Sequence, residues 1–299
     1  MKDFTLHTYR LLLKALKDKN YRFLTFEEFI KNSSLVTPHS SLCILRHDVD
    51  RKPLNALTTA RLENELGIKG TYYFRIVDGS FDETIIMQIV EMGHEIGYHY
   101  EDVDLVQKEF ANSRINEFRI DSLVNPAWES FKKNLVKLRR IVPVTTICMH
   151  GSPLSKYDNK IIWEKYDYKE LGIIGEPYLD LNWNEFSYFT DTGRRWDGVS
   201  VRDKVQAGNH KSVISSQNPE ASIQYPSSSN RQKYQSSFDI IDALKKNTFP
   251  KKVMITVHPE RWNDNLLIWT EELVSQNFKN VVKKWFFVKS KQVAVKCDE

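Results

Sequence analysis

The sequence predicts an α/β protein in which parallel strands are joined by helical crossovers, as in a barrel or an open sheet. Two observations carry that prediction. Between residues 42 and 99, apolar runs rich in β-formers alternate with helical periodicity in the order strand, helix, strand, helix, strand. Several apolar runs also end on chemistry-bearing residues: Leu42 to Leu45 leads into Arg46-His47-Asp48-Val49-Asp50, 94–99 ends on His99, 144–149 on His150 and 253–257 on His258. Loops at the carboxyl ends of parallel strands converge on one crevice. Imidazoles and carboxylates delivered there suit a hydrolytic metal site, so an enzyme is the first hypothesis.

Each element has its own signal. Residues 4–19 read as an amphipathic helix, and Thr25 with Glu28 three residues later reads as the capped start of a second. A strand at 42–47 is followed by a helix at 54–66, with Pro53 near its first turn and Gly67 closing it. Thr71 to Phe74 is a strand, 82–92 a helix stopped by Gly93, and 94–99 a strand. Residues 104–140 look helical with a break near Asn125-Pro126, and 144–149 is a strand. Ile173-Ile174 and Tyr188-Phe189 are strand-like, Phe238 to Lys246 is helical and 253–258 is the last clear strand. Residues 208–237 are rich in Ser, Asn, Gln and Gly and read as a surface loop or lid. No repeat or linker divides the chain, so one domain is expected over 1–299, with helices in 1–40 and the polar insertion at about 208–237.

Composition narrows the classes. The 299 residues are 41% hydrophobic and 27% charged with a net charge of +4 and no Lys/Arg block, so neither nucleic acid nor membrane insertion is implied. The three cysteines, Cys43, Cys148 and Cys297, follow no disulfide framework, and two lie in strand-like runs as small buried thiols. Lys14, Lys17 and Lys19 interrupt the leucines of the first helix, unlike a secretory signal, and cytoplasmic residence is expected. There is no Gly-rich phosphate loop, Gly-x-Ser-x-Gly elbow or Cys-x-x-Cys pair, which disfavours nucleotide cofactors and a serine nucleophile.

Arg46, Asp48 and Asp50 share one face of their strand, with His47 and Val49 on the other. Two close carboxylates need a cation to separate their roles, one binding metal and one acting as base. The alternative is a salt-bridged turn built on Arg46 and Arg51. His94 and His99 are five residues apart and so on opposite faces, which makes His99 the better ligand and His94 a structural histidine. Tyr100, Glu101, Asp102 and Asp104 follow it, and one of these carboxylates could be a ligand. Asp191, Arg194 and Trp196, and likewise Arg261 and Trp262, group aromatic and guanidinium side chains in loops. That is either ordinary packing or a sugar platform with a charge clamp.

Arg46 to Asp50, Gly93 to His99 and Val257-His258 resemble motifs of the polysaccharide deacetylase family of carbohydrate esterases. The resemblance implies a single distorted (β/α) barrel of about seven parallel strands, here over 41–290. It also implies removal of acetyl groups from amino sugars or other carbohydrates with a divalent metal, most often Zn²⁺. By that likeness Asp48 is the catalytic base, Asp50 and His99 metal ligands and His258 the general acid. Asp191 and Arg261 take positioning roles, and Trp196, Trp262, Tyr100 and Arg194 contact the carbohydrate. One position departs from the pattern. Where the family has a second metal histidine, four residues after the first, this chain has Val103. His150 is the candidate substitute, with Asp102 or Asp104 behind it. A carbohydrate-binding protein with a lost metal site, or a hydrolase of another C–N amide bond, are the alternatives.

Overall fold

A computed structural model describes residues 2–32, 40–112, 120–151, 155, 157–196 and 234–276. Most of the polar insertion, the residues to 233, lies outside the described residues, as does Cys297. The chain opens with α1 (Leu6–Asp18), capped by the Thr5 hydroxyl and burying Tyr9, Leu12, Leu13 and Leu16. Next come β1 (Arg22–Leu24) and α2 (Phe26–Asn32). The expected capping box is present: Glu28 N–H donates to Thr25 Oγ1 and Thr25 N–H to the Glu28 carboxylate, both at 3.1 Å.

The alternating core then runs β2 (Leu42–Val49), α3 (Pro53–Glu65), β3 (Thr71–Phe74), α4 (Glu83–Glu91) and β4 (Glu95–Tyr100). It continues with α5 (Asp102–Asn112), α6 (Ile120–Arg139), β5 (Ile147–Met149), α7 (Pro177–Asp180) and β6 (Ser187–Thr190). α8 (Ser237–Lys245) and β7 (Lys252–Val257) follow, and residues 266–276 are again helical. The expected break near Asn125-Pro126 is not present: Pro126 sits inside α6. Leu123, Ala127 and Phe131 bury an apolar stripe on either side of that proline, which outweighs its missing N–H.

All pairings are parallel, in the order β5-β4-β3-β2-β7-β6, with β1 also on β2. β7 pairs with residues 42–47 of β2, so β1 and β3 share its other edge in succession. The sheet is a curled half-barrel rather than a closed seven-stranded barrel, because β5 and β6 do not pair. Ile173-Ile174 forms no strand there, and only a bridge from Thr146 to Gly175 continues the ladder. Asp158, Asp167 and Glu176 instead cap short helical turns, taking backbone N–H groups that a strand would need.

Side-chain parity separates two environments. One face of the sheet carries Cys43, Leu45, Val253, Ile255 and Val257 against α1 and α8, and Tyr72, Phe74, Ile96 and Tyr98 against α3 to α6. Burial of each such side chain contributes roughly 1.5–3 kcal/mol. The inner face is apolar at the start of the strands, where Leu42, Ile44 and Met254 meet Phe26, Phe29 and Trp183. Towards the strand ends it turns polar: Thr256, Arg46, Thr71 and Glu95 stand in register, followed by Asp48, Tyr73 and Gly97. Gly97 is required there, since a Cβ would lie 2.3 Å from Cε1 of Tyr73 and 2.9 Å from the Thr146 carbonyl oxygen. Among the described residues, no helix is long and apolar enough to cross a membrane.

Candidate metal and acid–base site

The site is assembled from strand exits. β2 ends at Val49 and is followed by Asp50; His99 is the penultimate residue of β4; His150 follows β5 and His258 follows β7. Oδ1 of Asp50 lies 3.5 Å from Nε2 of His99 and 3.5 Å from Nε2 of His150. The two imidazoles stand nearly perpendicular, at 85°, with centroids 5.2 Å apart. Oδ2 of Asp50 is 4.0 Å from Nε2 of His258. All four side chains therefore face one point at the mouth of the half-barrel.

Three features of these residues fit a divalent cation. Asp50 Oδ1 is buried and has no hydrogen-bond partner among the described residues, a costly state unless a cation completes it. Nδ1 of His99 donates to the Cys148 carbonyl at 2.9 Å, which leaves the Nε2 lone pair directed at the site. Donor atoms about 2.0–2.1 Å from a tetrahedral ion stand about 3.3–3.4 Å apart, close to the separations found. The set Asp50, His99 and His150 would hold the ion. Burial pushes the Asp50 carboxyl up, but His150, His99 and His258 outweigh it and hold the group well below the usual carboxylate range.

The residue at the family's second histidine position points away. Val103, in the first turn of α5, is fully buried in the cluster beneath the helices, and its N–H donates to Asn159 Oδ1 at 2.9 Å. Asp102 also faces inward among Tyr98, Ser130 and Asn134. Asp104 accepts from Ser155 and Asn159. Both lesser candidates are thus already engaged. Asp104 and Glu101 are acidic neighbours of the His150 ring.

Asp48 lies next to the ligand set, 3.7 Å from Nε2 of His99, and is clamped by Arg46. Nε and Nη2 of Arg46 donate to its two oxygens, each at 2.7 Å. Burial raises the Asp48 carboxyl, but Arg46 and then His99 and His258 bring it down to about 2. The salt bridge and the site are therefore one arrangement rather than alternatives, though the clamp is made by Arg46 alone. Arg51 pairs instead with Glu272 at 2.8 Å. Tyr178 covers Arg46, its ring centroid 5.0 Å from the guanidinium carbon.

His258 is held by a buried acid. Asp191 follows β6, and its N–H continues the β6–β7 ladder to the Thr256 carbonyl at 3.2 Å. Its Oδ1 accepts from His258 Nδ1 at 2.6 Å and Arg261 Nη1 at 2.7 Å. Its Oδ2 accepts from the His258 N–H at 2.9 Å and Trp262 Nε1 at 2.8 Å. The short helical turn Pro259–Arg261 returns Arg261 and Trp262 to that carboxylate. Burial raises the Asp191 carboxyl, and Arg261 and His258 more than reverse this, leaving it lowered.

The four residues expected to contact carbohydrate do not form a wall at this site. Trp196 and Trp262 are each 1% exposed, packed with Phe4, and Trp196 Nε1 donates to Ser237 Oγ. Arg194 is buried between the rings of Phe4 and Trp269. Tyr100 takes the helix side of β4, opposite to His99, and its hydroxyl accepts from Trp163 Nε1 at 2.7 Å. His94 is structural, accepting from Gly70 N–H and donating to the Ala60 carbonyl. The sequence reading did not single out Glu260, a buried carboxyl facing Asp50 with Oε2 unpartnered; burial and then the Asp50 charge push it up to about 7. Its place one residue past His258-Pro259 was the available signal. Arg75 carried none.

No protein-family model and no curated protein matches the sequence. Among solved structures, the chain is similar to the Streptococcus pyogenes deacetylase PplD in complex with acetate, at 15% identity and a TM-score of 0.36. That likeness covers 48% of this chain and 61% of the other, so the chain spans about three fifths of its neighbour's length.

Proposed function

We propose that this chain is a metal-dependent hydrolase that removes acetyl groups from an amino sugar or another carbohydrate. The observation that carries the reading is the unpartnered Asp50 Oδ1 facing Nε2 of His99 and His150, with Asp48 on one side and the Asp191-held His258 on the other. The motif resemblance in residues 46–50, 93–99 and 257–258 directs the choice of acyl group and carrier.

Asp50, His99 and His150 would hold a divalent ion of the zinc type. When bound, such an ion supplies Lewis acidity, drawing the pKa of water towards ~7 and polarising a carbonyl. Arg46 keeps Asp48 anionic and fixes both of its oxygens, so this carboxylate orients the attacking water and takes its proton. His258, its Nδ1 tied to Asp191, presents Nε2 to the leaving nitrogen or oxygen and protonates it. Arg261 and the Trp262 indole N–H hold Asp191 in turn, which fixes the imidazole plane.

The test is acetate release from N-acetylglucosamine oligomers and O-acetylated sugars, by protein stripped of metal and then reloaded with zinc, cobalt, nickel or manganese. Activity is expected only in loaded protein, with near-complete loss in Asp50→Asn, His99→Ala and His150→Ala. No metal uptake together with no acetate release sinks the reading. Ammonia release without acetate moves it to a different C–N bond.

A further inference from the structure

Four neighbouring strands, β2, β3, β4 and β5, are followed or closed at the same end by Asp50, Arg75, Glu101 and His150. Two of these are assigned above as metal ligands. The other two are in contact with both. Nε and Nη2 of Arg75 donate to the two oxygens of Glu101, each at 2.7 Å, and Nη1 donates to the main-chain carbonyl of Asp50 at 3.0 Å. Oε2 of Glu101 is 3.4 Å from Nδ1 of His150.

The two ligating histidines differ in how their rings are held. For His99 the main chain does it, through the Cys148 carbonyl. His150 has its backbone fixed on both sides, its N–H to the Tyr100 carbonyl at 2.9 Å and its carbonyl to Asn159 Nδ2 at 3.1 Å. Its Nδ1, however, is buried without a formed hydrogen bond among the described residues. The oxygens of nearby Asp104 are taken by Ser155 and Asn159, so among the described residues Glu101 is the acceptor within reach. A 3.4 Å approach is long for a hydrogen bond, and contacts of this kind tighten when a site is loaded.

We propose that Arg75 and Glu101 are positioning residues that preset the metal site: Glu101 holds Nδ1–H of His150 so that Nε2 faces Asp50, and Arg75 ties that carboxylate to the backbone of Asp50. The proposal rests on the metal-site reading above. A planar guanidinium is needed, because one group must serve two carboxylate oxygens and a carbonyl at once, which an ammonium does not.

The test uses the full chain. In Glu101→Ala the dissociation constant for Zn²⁺ or Co²⁺ is expected to rise 10- to 100-fold, the usual effect of losing a group that orients a ligand. Long-range ¹H–¹⁵N NMR of the metal-free protein, with His150→Gln for assignment, is expected to show the Nδ1–H tautomer of His150 in the wild type. Glu101→Ala should shift it towards Nε2–H. Glu101→Gln, whose amide oxygen still accepts from Nδ1, should restore the tautomer and most of the affinity, and Arg75→Lys should weaken metal binding. Far-UV circular dichroism checks that each variant is folded.

Unchanged tautomer and affinity in Glu101→Ala overturn the proposal. So does a second metal equivalent lost in that variant, which would make Glu101 a ligand. If the wild type takes up no metal, the metal reading falls, and the tautomer comparison still decides the clamp.

Discussion

Asp191→Asn is the sharpest single perturbation of the acid–base half of the site. The carboxylate accepts four hydrogen bonds, two on each oxygen, at 2.6 to 2.9 Å. An asparagine has one acceptor oxygen, so its NH₂ must face two donors whichever way the amide turns. With the oxygen toward Arg261, the NH₂ meets the His258 backbone N–H and the Trp262 indole N–H. With the amide turned over, it meets the guanidinium, and His258 must move its proton from Nδ1 to Nε2. Two hydrogen bonds are lost in the first arrangement and the one from Arg261 in the second, all of them to an ionised acceptor, and in both a buried Arg261 loses its anion. Breaking a buried pair of this kind costs about 3–5 kcal/mol. Urea unfolding measures that loss, and acetate-release kinetics the effect on His258. A fall in kcat of roughly 10²–10⁴ is expected, the range of a positioned general acid. A stability loss under about 1 kcal/mol with unchanged kcat would refute the view that Asp191 holds the imidazole.

Three further outcomes follow from geometry. Gly97→Ala forces the Tyr73 ring off β4 and should cost about 1–3 kcal/mol in denaturant unfolding, and a neutral result would mean the ring moves freely. Glu63 is fully buried, bonded to Tyr9 and 2.9 Å from His47 Nε2; burial raises its carboxyl, but His47 outweighs that and lowers it below the usual 4.5. Its contribution is therefore complete above pH 4.5 and disappears as pH falls through the lower folded value. The stability gap between wild type and Glu63→Gln should shrink only in that acid range, and a gap that stays constant to the acid transition would contradict this. Cys43 and Cys148 are fully buried, with burial pushing both thiols up, so a thiol reagent should modify at most one cysteine in folded protein and all three after unfolding. Rapid labelling of two in the native state would go against it.

Much of the site was legible in the sequence because strand parity and strand ends are local properties. The opposite orientations of His47 and Asp48, and of His94 and His99, follow from counting by two. His150 was readable as the exit of an apolar run. The burial of the residues expected to contact carbohydrate was not. Trp262 and Trp196 look like loop aromatics in the chain, yet they pack against Phe4 at its beginning, a contact that no local pattern announces. Tyr100 could have been placed by the parity that placed His99. Arg75 was invisible for a different reason: a lone charged residue after a strand is common, and only the fold shows which one is set against a ligand. That the distorted barrel stays open was not legible, because three capping carboxylates, not hydrophobicity, mark the path between β5 and β6.

Under the proposed function, the distance in sequence between Asp50 and His258 has a bearing on how activity would arise. Its two halves of chemistry come from the first and last strands of the curled sheet's centre, β2 and β7, which are adjacent in space and separated by most of the chain. Nothing made early in synthesis can work until the final strand inserts, and such far-apart pairings form slowly. Recovery of turnover after dilution from denaturant should therefore lag behind the return of helical signal.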